Sequence, residues 1–64
     1  MQGKLQGRRA LVSGGASGIG EASARLFASE GAAVVISDID DANGERVVRE
    51  IREAGGVAHY RHVD

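Results

Sequence analysis

The 64-residue chain contains no cysteine and no proline. A disulfide framework and a cysteine-based zinc site are therefore excluded, and no proline-rich linker divides the chain. Aromatic residues make up 3% of the sequence, too few to build a stacking platform for single-stranded nucleic acid. Only two histidines, His59 and His62, are present, too few for a dedicated metal cage, so no metal site is expected. Neither sign of charge dominates: 8 basic residues face 9 acidic ones, for a net charge of -1. That balance gives no electrostatic footprint for nucleic acid or an anionic membrane surface, and neither is expected as a partner. No apolar run approaches the ~18 residues that would span a bilayer. Met1-Gln2-Gly3-Lys4 leads into no apolar h-region, and a cytoplasmic chain is expected.

A chain of this length holds at most one small domain. Such a domain, of ~60 residues, buries only about 60% of the surface its unfolded chain exposes, so marginal stability is expected. Hydrophobic residues make up 42% of the sequence, a globular rather than disordered composition. Glycine is abundant, 10 of 64 residues, about twice the ordinary usage of roughly 7%, and it is clustered.

The first apolar run, Ala10-Leu11-Val12, is closed by Ser13 and by glycines. Short and continuous, it reads as a strand buried on both faces, as in a parallel sheet. After the glycine-rich stretch Gly14 to Gly20, a helical pattern places Ile19, Ala22, Ser23, Leu26 and Phe27 on one predicted buried stripe. Glu21, Arg25 and Glu30 lie mostly away from it, and Gly31 is a plausible residue just past the helix end. Ala33 to Ser37, with β-branched Val34, Val35 and Ile36, predicts a second strand ending at Asp38. Asp40 or Asp41 is suited to cap a second helix, which Val47, Val48 and Ile51 face inward and Gly55-Gly56 ends. Gly44 in its first turn weakens that helix by about 1 kcal/mol relative to alanine. Val57 to Val63 predicts a third strand, with Asp64 behind it. Strands alternating with helices over short connections must run parallel with right-handed crossovers. The expected fold is α/β: a Rossmann-like βαβαβ half of a doubly wound parallel sheet, strand order 3-2-1.

A loop that leaves a strand and opens a helix presents free backbone N–H groups backed by the helix dipole, and together these bind phosphate. A P-loop would need a lysine and then serine or threonine after Gly20. Glu21 and Ala22 stand there, which removes the cation that reaches the outer phosphates. A GxGxxG fingerprint starting at Gly18 meets Ser23 where glycine or alanine belongs. The spacing GxxxGxG is met by Gly14, Gly18 and Gly20 directly after the first strand. An isolated loop of this kind is also what any tight turn requires; the strand before it, the helix after it and the acid beyond it favour a dinucleotide.

Ser13-Gly14-Gly15-Ala16-Ser17-Gly18-Ile19-Gly20 resembles the T-G-x-x-x-G-[IL]-G signature of the short-chain dehydrogenases/reductases. The likeness extends over the whole chain, through Leu5 to Leu11, Glu30-Gly31-Ala32 and Val63-Asp64. Ser13 replaces the usual threonine and keeps its hydroxyl. The resemblance implies that Gly14, Gly18 and Gly20 shape the pyrophosphate turn, with Gly20 letting helix and strand pack closely. It also implies that Ser17 and Ile19 contact the cofactor, and that Asp64 accepts from the adenine amino group.

Asp38 ends the second strand about 20 residues beyond the glycine fingerprint, where an acid accepts from the adenosine ribose hydroxyls. A carboxylate there repels a 2′-phosphate, Ser17 offers it no cation, and Asp40 and Asp41 add negative charge. The expected cofactor is therefore NAD(H) rather than NADP(H). An aspartate that merely starts a turn is the plainer reading of Asp38. Ile39 is placed to pack on the adenine, or is plain core. His59 and His62 lie on opposite faces of a strand and do not converge on a substrate. Tyr60 is the only tyrosine. It is not the family's catalytic one, which belongs to Tyr-x-x-x-Lys, because position 64 is Asp64.

Members of the family are several times longer, and their catalytic serine, tyrosine, lysine and asparagine have no counterpart here. Residues 1–64 are thus expected to be the N-terminal, cofactor-binding part of one Rossmann domain, inactive alone. The resemblance implies a full-length NAD-dependent oxidoreductase that interconverts a small-molecule alcohol and a carbonyl, and a homo-oligomer. A non-catalytic NAD-binding module, a fragment of an S-adenosylmethionine-dependent methyltransferase and a fragment without function of its own are the other readings.

Overall fold

The computed structural model describes residues 4–64. Five elements follow one another: β1 (Arg9–Ser13), α1 (Gly18–Ser29), β2 (Ala33–Asp38), α2 (Asp41–Glu53) and β3 (Val57–His62). The strands form one parallel sheet in the order β1-β2-β3, which is the expected 3-2-1 arrangement read from the other edge. The β-branched run Val34 to Ile36 is the central strand, paired on both sides. Asp40 caps α2 by accepting from the Asn43 amide, and Gly31, at φ 99, turns the chain out of α1.

Two crossovers that run in the same direction across a sheet place both helices on one face. Val12, Val34, Ile36 and Ala58 from the strands meet Ala24 from α1 and Val47, Val48 and Ile51 from α2 in a single core. The other face carries Leu11, Val35 and His59 in one register row. Leu11 is 81% exposed there. The expectation that the first strand is buried on both faces is therefore corrected: only its Val12 side is covered, because among the described residues no helix crosses the second face.

The buried face of α1 also differs from the expected stripe. Ala24 is fully buried and Gly20, Phe27 and Ala28 are half-buried, whereas Ile19 is 86% and Leu26 57% exposed. Size decides this rotation. A Cβ on Gly20 would collide with the carbonyl of Gly14, so the start of the helix lies against the loop at a distance that only glycine permits. Ala24 continues the same small-residue face one turn later, and the larger Ile19 and Leu26 are turned outward.

Glu21 and Arg25, expected on an outward face, instead join the two helices. Arg25 pairs with Glu21 at 2.7 Å and with Glu50 at 2.5 Å; Arg46 pairs with Glu21 at 3.2 Å and with Glu50 at 3.3 Å. Each arginine thus holds both glutamates, and the four charges close a ring. The Arg25 guanidinium holds the carboxyls of Glu21 and Glu50 below their ordinary range. All four side chains are partly solvated, which keeps each pair weak, so the ring links the two helices but adds little stability.

The one-sided core yields a paired expectation. Ile36→Ala should cost about 2–5 kcal/mol, comparable with the ~3–5 kcal/mol that a core this small supplies. The cooperative thermal transition in circular dichroism should then be lost. Leu11→Ala, on the uncovered face, should change stability by less than about 0.5 kcal/mol.

Candidate cofactor site

The carboxyl ends of β1 and β2 open onto a cleft of about 240 Å³ lined by Ser13, Gly14, Ser37, Asp38, Ile39 and Val63. Parallel α/β sheets bind ligands at this end of their strands. Gly14 sits at φ 70 and Gly18 at φ 56, and a Cβ at either would meet nothing within 4 Å. Both glycines are therefore required by backbone conformation, not by crowding, and the space before them is open. Gly20 is required for the opposite reason, its contact with Gly14. Gly15 is tight as well: a Cβ there would press on the Ile36 side chain.

Ser17 is the N-cap of α1 in extended conformation, and its hydroxyl makes no capping bond. Glu21 is the first residue of the helix to donate back, to the Ser17 carbonyl at 3.2 Å. The amides before it have no partner within the helix, so the glycine loop and the helix start form one patch of backbone donors suited to a phosphate. Ile19 stands exposed on that first turn.

Asp38 closes the cleft from the second strand. Its Oδ1 accepts from the amides of Ile39 at 2.7 Å and Asp40 at 3.0 Å, and its Oδ2 accepts from the amide of Ala16 at 3.2 Å. A carboxylate offers about four acceptor positions, so one remains for a ligand, on the oxygen nearer the glycine loop. The bonds from the Asp40, Ala16 and Ile39 amides hold the carboxyl below the usual carboxylate range. It is ionised at neutral pH.

The structure thus brings Gly14, Asp38 and Ile39 to one cleft and places Ser17, Gly18, Ile19 and Gly20 along the adjoining helix start. Asp64 lies beyond the residues that line the cleft. It is exposed, and its Oδ1 is 3.6 Å from His62 Nε2. His59 and His62 fall on opposite faces of the sheet, as their spacing implies, and His62 Nδ1 lies 2.6 Å from Asp41 Oδ1. Sequence reasoning missed Ala16, Ser13, Ser37 and Val63. Ser13 and Ser37 are register partners at the strand ends, and their place at the end of each apolar run was the available signal. Nothing local marks Ala16, whose amide matters and whose side chain does not. Among the described residues, no group of three or more histidine, cysteine or acidic side chains is arranged to hold a metal, and no helix is long and apolar enough to cross a membrane.

A parallel βαβαβ unit with a glycine loop after its first strand and an acid at the end of its second is the architecture of a Rossmann-fold half. Residues 8–64 match the family model described as short chain dehydrogenase, and the chain belongs to that family. It is 50% identical over 64 residues to the 2,5-dichloro-2,5-cyclohexadiene-1,4-diol dehydrogenase of Sphingobium indicum, covering 100% of this chain and 26% of that protein. It superposes on the citronellol catabolism dehydrogenase of Pseudomonas aeruginosa with a TM-score of 0.96 at 34% identity, covering 100% of this chain and 27% of that one. A 7α-hydroxysteroid dehydrogenase in complex with NADH and 7-oxo glycochenodeoxycholic acid gives a TM-score of 0.91 at 42% identity, over 94% of this chain and 24% of that one. The chain spans about a quarter of the length of these proteins. Membership of this family removes the methyltransferase reading.

The state of Asp38 has a measurable consequence. Its folded-state pKa lies below the ordinary 3.8. Its contribution to stability is therefore fully present above that value and is lost as pH falls through the folded-state value. Glu21, Asp41 and Glu50 act in the same direction. Acid titration followed by circular dichroism should show stability unchanged from neutrality to about pH 5 and falling below it. In Asp38→Asn the acid-dependent part of that loss should be smaller.

Proposed function

We propose that this chain is the adenosine- and pyrophosphate-binding half of an NAD(H)-dependent oxidoreductase acting on a small-molecule alcohol or carbonyl. The observation that carries the reading is Asp38, an ionised carboxylate at the end of β2. It shares a cleft with the glycine loop, and one acceptor position is left on its Oδ2 side. Bound NAD supplies a site that accepts or gives hydride. The residues of this chain do the holding. The Gly14–Gly20 loop and the start of α1 receive the pyrophosphate, Asp38 accepts from the ribose hydroxyls, and Ile39 flanks the base. Ser17 and Ile19 border the helix start on the way to the reacting end, and Asp64 is assigned to the adenine amino group.

The same carboxylate argues against NADP(H). A 2′-phosphate placed beside Asp38 would meet like charge, reinforced by Asp40 and Asp41, and Ser17 brings no cation to offset it. Proton transfer is assigned to groups outside these residues, because Tyr60, the sole tyrosine, has Asp64 where a Tyr-x-x-x-Lys pair has its lysine. The chain alone is accordingly inactive in this reading. A homo-oligomeric assembly and a cytoplasmic setting belong to the same proposal.

Fluorescence titration with NADH, with NADPH as control, tests it. The unaltered protein should bind NADH saturably and more tightly than NADPH. Asp38→Ala should weaken NADH about tenfold or more, the scale of a lost hydrogen bond to a charged group, and should narrow the gap to NADPH. Equal affinity for the two nucleotides, or an unaltered NADH affinity in the variant, would remove Asp38 from the role given to it.

A further inference from the structure

Gly44 has a neighbour that explains it. A Cβ at this position would collide with the Tyr60 ring, so the glycine leaves a gap in the first turn of α2 and the tyrosine ring of β3 fills it. The ring is thereby aimed along the sheet toward the end of β2. Its hydroxyl lies 2.8 Å from the Asp38 carbonyl and 2.6 Å from Asp41 Oδ1. A phenol has one proton, and both neighbours are acceptors, so that proton is shared between the last peptide of β2 and the first residue of α2. Burial and the nearby Asp41 carboxylate push the phenol pKa up, which keeps the proton in place. The Asp38 carbonyl accepts a second bond, from the Val63 amide at 3.0 Å. The peptide that carries Asp38 is thus held from β3 by a main-chain and a side-chain donor together.

We propose that Tyr60, seated in the gap at Gly44, is a positioning residue for the Asp38 carboxylate. Its hydroxyl spans the β2–α2 turn and holds it in the shape in which Asp38 faces the cleft. Through that hold it sets the preference for a dinucleotide with a free adenosine 2′-hydroxyl. The last step rests on the NAD(H) reading above; the hold on Asp38 does not. The turn is short, Ile39 and Asp40 both donate to Asp38 Oδ1, and no side chain other than Tyr60 donates to its carbonyl among the described residues.

Tyr60→Phe removes the hydroxyl and keeps the ring in its gap. Three quantities are measured on it beside the unaltered protein: the Asp38 carboxyl titration by carbon NMR, amide exchange at Ile39 and Asp40, and the affinities for NADH and NADPH. The expected result is an Asp38 midpoint moved up toward the ordinary value, exchange at the two amides faster by about tenfold, and NADH weakened about tenfold with less change in NADPH. A wild-type Asp38 midpoint and wild-type exchange in Tyr60→Phe, even with a lowered melting temperature, would overturn the proposal, since a merely structural tyrosine would give that result. If the unaltered protein binds no NADH, the cofactor reading fails while the carboxyl titration still decides the hold on Asp38. Should Tyr60→Phe not fold, Gly44→Ala, which drives the ring from its gap, should shift the Asp38 midpoint in the same direction. An unshifted midpoint there would also overturn it.

Discussion

Asp38 joins three parts of the fold at the cleft: the glycine loop, its own turn into α2, and the third strand. Its carbonyl accepts from Val63 and Tyr60 of the third strand and its extension, and its carboxylate accepts from Ile39 and Asp40 of its own turn and from Ala16 of the glycine loop. The glycine loop also meets β2 at its start, where Gly14 donates to the Ser37 carbonyl at 2.7 Å. The ion ring of Glu21, Arg25, Arg46 and Glu50 does related work on the helical side, tying the first turn of α1 to the middle of α2. The glycine loop thus lies between two separate sets of polar contacts, one at its centre and one just past its end.

Small residues shape the interior as much as large ones. Gly20 and Ala24 bring α1 down on the sheet, and Gly44 admits the ring of Tyr60 to the side of α2. The two glycines carry an entropic cost on folding, because glycine loses more conformational freedom than any other residue. The cost is tolerated where close approach creates a binding surface. The loop between Gly14 and Gly20 and the turn after Asp38 both lie beside one of these contacts.

The order of elements and the sheet topology were legible in the sequence because each rests on a local signal. Val34 to Ile36 is β-branched, Gly31 and Gly55-Gly56 end helices, and the spacing of Gly14, Gly18 and Gly20 follows a strand directly. The buried face of α1 was not legible from hydrophobicity, since Ile19 and Leu26 outweigh Gly20 and Ala24 on any such scale while the smaller pair makes the contact. The exposed side of β1 was not legible either, because an apolar run does not say which of its faces a crossover will cover. At the site, the glycines and Asp38 stood out by spacing. Ala16 and Tyr60 did not, because one acts through its backbone and the other through a register between strands far apart in sequence. The pairs Glu21–Arg25 and Arg46–Glu50 each have helical spacing, but their closure into a ring depends on how two helices lie side by side.

The fit between Gly44 and Tyr60 also constrains the order in which the two positions are free to change over evolutionary time. A larger residue arriving first at position 44 meets the aromatic ring and displaces the hydroxyl from Asp38 and Asp41. A smaller residue arriving first at position 60 vacates the gap, after which position 44 can accept a side chain and recover helix propensity worth about 1 kcal/mol. Once both have changed, regaining the tyrosine requires position 44 to return to glycine beforehand. The pair therefore imposes one order of change in each direction between two ways of building the same turn, with the hydroxyl contact to Asp38 available on only one side of it.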